Sequence, residues 1–187
     1  IFGQLGAADA SEANPVNITS LLQNPSFEKP NGENDPSSGW KGVRIEEGTS
    51  ISPSVNEYGR GNAEIWNASA FILSQKLSNL PAGTYELCAQ GFQRPGSSTE
   101  SFNDYTAGNN KVVATLYAGS QSTKLKHIAT EARSSKIGLG NEVAVGSPTQ
   151  YIPNDMQASS AYFMRGLYNN SVMIELSAKG KSLLRVI

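Results

Sequence analysis

Two runs of alternating residues flank Leu80-Pro81-Ala82-Gly83, and they constrain this chain more than any other feature. Before the turn, Phe71, Leu73, Gln75 and Leu77 alternate with Ile72, Ser74, Lys76 and Ser78. After it, Tyr85, Leu87, Ala89 and Gly91 alternate with Glu86, Cys88, Gln90 and Phe92. A spacing of two places successive side chains on opposite faces, as a half-buried strand does, and Pro-Ala-Gly supplies the turn chemistry between them. The segment therefore reads as strand, turn, strand, with Phe71, Leu73, Leu77, Tyr85 and Leu87 facing a core.

The same pattern extends along the chain. Strands are expected at Val43 to Glu46, around Ala63 to Trp66, at Val112 to Tyr117, at Ser171 to Leu176 and at Ser182 to Ile187. Ala114, Leu116, Val172, Ile174 and Leu176 complete the inward set. Segments 29–39, 95–110 and 134–150 carry Gly, Pro, Ser and Asn in the density of loops. One short helix is expected near 155 to 165, capped by Asn154 or Asp155 and ended by Gly166, with Met156, Ala161, Tyr162 and Met164 on its inner side. Residues 1–15 read as a flexible lead-in and 16–187 as a single domain. About eight short strands with one helix and long polar loops predict an all-β fold, an antiparallel β-sandwich.

Composition narrows the function. The chain has 187 residues, 15 Lys+Arg against 16 Asp+Glu, and a formal net charge of −1. Charged residues make up 17%, below the roughly 25% of ordinary globular proteins, while 24 Ser, 16 Asn and 18 Gly predict a neutral surface rich in hydroxyls and amides. No Lys/Arg run offers the basic footprint that nucleic acid requires. The apolar runs, such as Ala68 to Leu73, fall far short of the ~18 residues that would span a bilayer. The first residues lack a basic n-region and a Met, and read as the remnant of a processed leader or the edge of a longer chain.

A single cysteine, Cys88, and a single histidine, His127, leave no disulfide framework and no zinc cage of thiolates and imidazoles. His127, in an alternating Lys124-Leu125-Lys126-His127-Ile128 stretch, reads as a surface or strand-edge histidine, and Cys88 as a half-buried strand thiol. Glu46 and Glu47 are adjacent and point to opposite faces, so they are no hydrolytic pair. Glu64 and Glu86 sit on strands with no sequence requirement to meet. Gly138-Leu139-Gly140 lacks the strand before and the helix after that a phosphate loop needs. The chain is thus expected not to be an enzyme.

Asn24-Pro25-Ser26-Phe27-Glu28, then Gly39-Trp40, then the Leu80 to Tyr85 turn, resembles the opening half of galactose-binding-like jelly rolls, the fold of many carbohydrate-binding modules. Ala63 to Asn67, Leu80 to Arg94, Ala114 to Ala118, and Tyr151 to Asn154 through Tyr162-Phe163 look like an accessory domain of secreted glycan-degrading proteins from polysaccharide-foraging bacteria. The resemblance covers about residues 16 to 187. It implies a secreted, periplasmic or bacterial cell-surface location, flanking domains of a larger protein, and a structural calcium on Glu28, with Asp35 as a further oxygen donor. The chain departs from that family in ending at Leu183-Leu184-Arg185-Val186-Ile187, without the aromatic and Asp-Asn pair of a closing strand. Without that strand a neighbour would expose an unpaired edge, so an edge-strand dimer or cover by the N-terminal residues is expected.

Sugar recognition needs flat aromatics for the C–H face of a pyranose and planar polar groups for its hydroxyls. Gln90, Phe92 and Arg94, on the non-core face of one expected strand, are the first candidates. Trp40, Tyr58, Trp66, Asn103 and Tyr105, in or beside loops, form a second set. The functional expectation is a non-catalytic module that binds an oligosaccharide or polysaccharide. The competing expectation is a structural spacer or protein-interaction domain with no sugar site.

Overall fold

The computed structural model describes residues 10–26, 41–42, 62–65, 70–177 and 180–186. Strand dominates, and among the described residues there are two helices, α1 (Ser98–Thr106) and α2 (Met156–Met164). Strands β1 (Lys41–Gly42), β2 (Leu73–Leu80), β5 (Thr115–Ala118), β6 (Gln121–Lys124) and β11 (Gly180–Val186) form one antiparallel sheet in the order β1-β2-β11-β5-β6. The last strand thus lies in the middle of the sheet, hydrogen-bonded to β2 on one side and β5 on the other. Strands β3 (Gly83–Gln90) and β10 (Asn169–Leu176) make an antiparallel ribbon over their whole length. Two smaller pairs complete the fold: β4 (Phe92–Gln93) parallel to β7 (Lys126–His127), and β8 (Glu142–Val145) antiparallel to β9 (Gln150–Pro153).

The alternating runs around Leu80 to Gly83 both form strands, yet they do not pair with each other. β2 joins the five-stranded sheet and β3 joins the ribbon, so the Pro81-Ala82 turn is a corner between sheets. Asn79 takes the left-handed conformation there, and the Tyr85 hydroxyl donates to the Pro81 carbonyl at 2.9 Å. The register puts Leu87 opposite Val172 and Tyr85 opposite Ile174 on the inner face, and Glu86 opposite Met173 on the outer one.

The core has two centres. Leu116, Ala118 and Val172 form one, with Leu22, Leu77, Leu87, Ala89, Leu125 and Ile174 packed around them, so the sheet and the ribbon share it. The second joins Phe102, Ile128, Ala129, Val145 and Ile152, with Phe92, Tyr105, Ala132 and Val143 against it. Phe102 and Val145 of this second centre fall in segments whose sequence reads as loop. Segment 95–110 contains α1, begun by a capping box in which Ser97 accepts from Glu100 N and Glu100 accepts from Ser97 N. Segment 134–150 contains β8 and the start of β9. The strand expected at Val112 begins only at Thr115, because Gln93 Oε1 accepts from Val113 N at 2.7 Å and Ala114 N at 2.8 Å in place of a ladder partner. Ala63 to Ile65 is irregular rather than strand, and Val43 to Glu46 lies outside the described residues.

Side-chain amides close the gaps between strands. At Gly91, where β3 breaks before β4, the buried Asn170 carboxamide donates to the carbonyls of Ala89, Gly91 and Tyr168 and accepts from Lys126 N. Gln75, also buried, pairs through both ends of its amide with the peptide of Gln23 and holds the N-terminal segment beside β2. Unpaired backbone groups buried at these breaks would each cost about 1–3 kcal/mol. Part of the amide content expected on the surface is therefore internal.

Candidate functional site

Segment 90–94 runs under α2. That helix begins at Asp155, whose Oδ1 accepts from Ala158 N at 2.7 Å, and ends at Gly166 in the left-handed conformation, as its capping residues predict. Its buried side is Ala158, Ser160, Ala161 and Tyr162; Met164, expected inside, is 40% exposed.

Gln90, Phe92 and Arg94 do not share the free face of one strand. β3 stops at Gln90, the chain turns at Gly91, and Phe92 points into the second core centre. The Phe92 ring lies 4.6 Å from that of Tyr168 and 5.9 Å from that of Phe163, tilted to both. The Gln90 amide donates to the carbonyls of Phe163 and Leu167, closing the C-terminal end of α2. Arg94 Nη1 donates to Asn154 Oδ1 at 2.8 Å and contacts Ser98 Oγ at 3.3 Å, bracing the approach to α2 against the first turn of α1. The three residues chosen from sequence thus come together, as a seat for the helix.

Phe92, Arg94, Asn154, Met156 and Phe163, with the buried Asn62 and Ser160, are among the residues lining an open cavity of ≈ 2920 Å³ that extends from the N-terminal segment along β2 and β3 to α2. That volume exceeds the roughly 300–1,000 Å³ of a small-molecule pocket, so the chemistry of its lining, and not its size, indicates what it holds. Next to the two phenyl rings stand a carboxamide at Asn154, a guanidinium at Arg94 and hydroxyls at Ser98 and Ser160. Sequence reasoning missed Asn154, Ser160 and Asn62 as lining residues; the helix cap at 154–155 is the signal that could have pointed to the first.

Asn103 and Tyr105 lie on α1 and not in a loop, and neither lines this cavity. Asn103 is exposed on a shallow polar pocket with Glu100, Asp104 and Lys111. Tyr105 is stacked on His127, centroids 4.9 Å apart and planes at 16°. Trp40, Tyr58 and Trp66 lie outside the described residues, as do Glu28 and Asp35, the expected calcium ligands. Among the described residues no group of three or more His, Cys, Asp or Glu side chains is placed to hold a metal ion, and no helix is long and apolar enough to cross a membrane.

Two single-residue expectations change. His127 is buried, 1% exposed, with Nδ1 accepting from Ala129 N. Cys88 is exposed on the outer face of β3, and partial burial together with the Glu86 carboxylate beside it pushes its thiol pKa up, which disfavours the nucleophilic thiolate. Comparison of the chain with protein-family models, with curated proteins and with solved structures finds no significant match in any of the three.

Proposed function

We propose that this chain is a non-catalytic carbohydrate-binding module of an exported glycan-processing protein, built as a β-sandwich of the galactose-binding-like, jelly-roll kind. The sandwich reading is supported by the first core centre, which draws Leu77, Leu116 and Ala118 from one sheet and Leu87, Val172 and Ile174 from the other. The observation that carries the binding reading is the lining of the cleft at α2. Two phenyl rings adjoin amide, hydroxyl and guanidinium groups, the combination that meets the apolar face and the hydroxyls of a pyranose.

Each stacked ring contributes about 1 kcal/mol beyond its burial, and each net hydrogen bond about as much. Three or four such contacts give a Kd on the order of a millimolar. With a neutral ligand that affinity is nearly independent of salt. One observation favours the competing reading of a spacer or protein-interaction domain: Arg94, Ser98 and Asn154 are hydrogen-bonded to one another and the Gln90 amide is engaged with the end of α2.

Calorimetry of the chain against a panel of plant, mucin and microbial oligosaccharides tests the choice. The expected result is weak, salt-insensitive binding to some of them, reduced several-fold in Asn154→Ala. Asn154 is the better probe than Phe92, whose removal would also unseat α2. Silence across the panel moves the assignment to the spacer.

A further inference from the structure

Beneath α2, Asn62 Oδ1 and Ser160 Oγ are buried without a hydrogen-bond partner among the described residues. Asn62 is 7% exposed and Ser160 2%. The Asn62 amide nitrogen donates to the Met156 carbonyl at 2.8 Å, which identifies its other end as an acceptor. Ser160 stands one helical turn after Met156 on the same stripe of α2, so the acceptor and the hydroxyl belong to one small patch. Buried polar atoms in native folds are nearly always paired, and two orphans on one patch mark a place where a partner is missing. Both residues line the cleft that carries Phe92 and Phe163.

We propose that Asn62 and Ser160 receive the exocyclic hydroxymethyl group of a hexopyranose, so that the cleft selects neutral hexosides over pentosides and uronides. The proposal rests on the carbohydrate-binding reading and names its ligand class. A hydroxyl meets both atoms at once, donating to Asn62 Oδ1 and accepting from Ser160 Oγ. A carboxylate has no proton to donate to Oδ1. Both atoms are buried while Asn154 is exposed, and a hydroxyl on a one-carbon arm extends further inward from a ring seated at Asn154 than a ring hydroxyl does.

The test is an NMR titration of the ¹⁵N-labelled chain with the methyl pyranosides of glucose, galactose, xylose and glucuronic acid. The Asn62 side-chain amide signals are expected to shift with at least one hexoside, and the xyloside and glucuronide to bind several-fold more weakly. Ser160→Ala should weaken that hexoside roughly three- to tenfold, the size of one net hydrogen bond, and bring the hexoside-to-xyloside ratio toward one. Its Tm should hold or rise, because the hydroxyl it removes has no partner in the empty protein. Hexoside binding that leaves the Asn62 signals unmoved, or that is matched by the xyloside, overturns the subsite and leaves the carbohydrate-binding reading standing. A lowered Tm in Ser160→Ala with unchanged affinity also overturns it, since a permanently held internal water then serves these atoms. No shift with any of the four overturns it too, while oligosaccharide calorimetry decides the broader reading separately.

Discussion

The His127 imidazole couples the fold to pH. Its neighbours alternate as in a strand, and from that pattern alone it belongs at an edge; in the structure it is enclosed between the Tyr105 ring and the 3-10 turn Ile128–Glu131. Nδ1 accepts from Ala129 N at 3.1 Å, so the ring proton sits on Nε2, which has no partner among the described residues. Burial holds the pKa below its ordinary 6.5, with Asp104 opposing. Protonation would also turn Nδ1 into a donor facing the Ala129 N–H. Because the folded pKa is depressed, the unfolded chain takes up the proton first. Stability is therefore full above about pH 6.5, falls as pH descends from there to the folded pKa, and is level in this term below it. Thermal unfolding between about pH 8 and pH 5 should show a Tm that declines below about 6.5. In His127→Gln that part of the decline should vanish; a variant with the wild-type slope would remove His127 as its cause.

The helices show how much of an element its termini encode. α2 is legible because Asp155 and Gly166 bracket it, and α1 is legible only through the Ser97-x-x-Glu100 box inside an otherwise loop-like composition. The Ser97 hydrogen bonds hold the Glu100 carboxyl below its ordinary pKa. The two caps differ in reach. Asp155 Oδ2 also accepts from Asn141 N at 2.9 Å and so anchors the loop before β8 to the helix. Gly140 passes so close there that a Cβ would run into Ala158 N and Asp155 Oδ1. Ser97→Ala should cost about 1 kcal/mol, and Asp155→Ala about 2 kcal/mol because a loop is released together with the cap. Urea unfolding of both variants measures this, and equal losses would mean the Asn141 bond contributes nothing. The β8–β9 hairpin was illegible for a further reason. Its Glu142 is a buried acidic side chain in a strand, held by Ile137 N and Gly138 N of the preceding loop and by the Tyr162 hydroxyl at 2.9 Å, which arrives only from α2.

At the scale of the whole molecule, the sheet and the ribbon are joined through Leu116, 2% exposed, at the centre of their shared core. Removing its branched end leaves a cavity bounded by both layers, and Leu116→Ala should cost about 2–5 kcal/mol. If the two layers are one cooperative unit, amide exchange should accelerate in β3 and β10 as well as in β5. Acceleration confined to β5 would mean that the ribbon stands independently.

Near neighbours in sequence suffice for local features: the inward faces of β3, β5 and β10, and α2 with its caps. Side-chain direction in a strand and the hydrogen-bonding needs of a helix end depend only on near neighbours, so Leu87, Val172 and Ile174 could be turned inward from parity alone. What tertiary structure decided is partnership. The turn at Pro81-Ala82 permits a hairpin as readily as a corner, and only the demands of β10 and β11, far along the chain, send β2 and β3 into different sheets. For the same reason the candidate site was legible as a set of residues and not as an arrangement. Gln90, Phe92 and Arg94 do gather in one place, but the helix they grip arrives from residue 156 onward. A period-2 pattern says which face a side chain occupies and carries no information about what will lie against it.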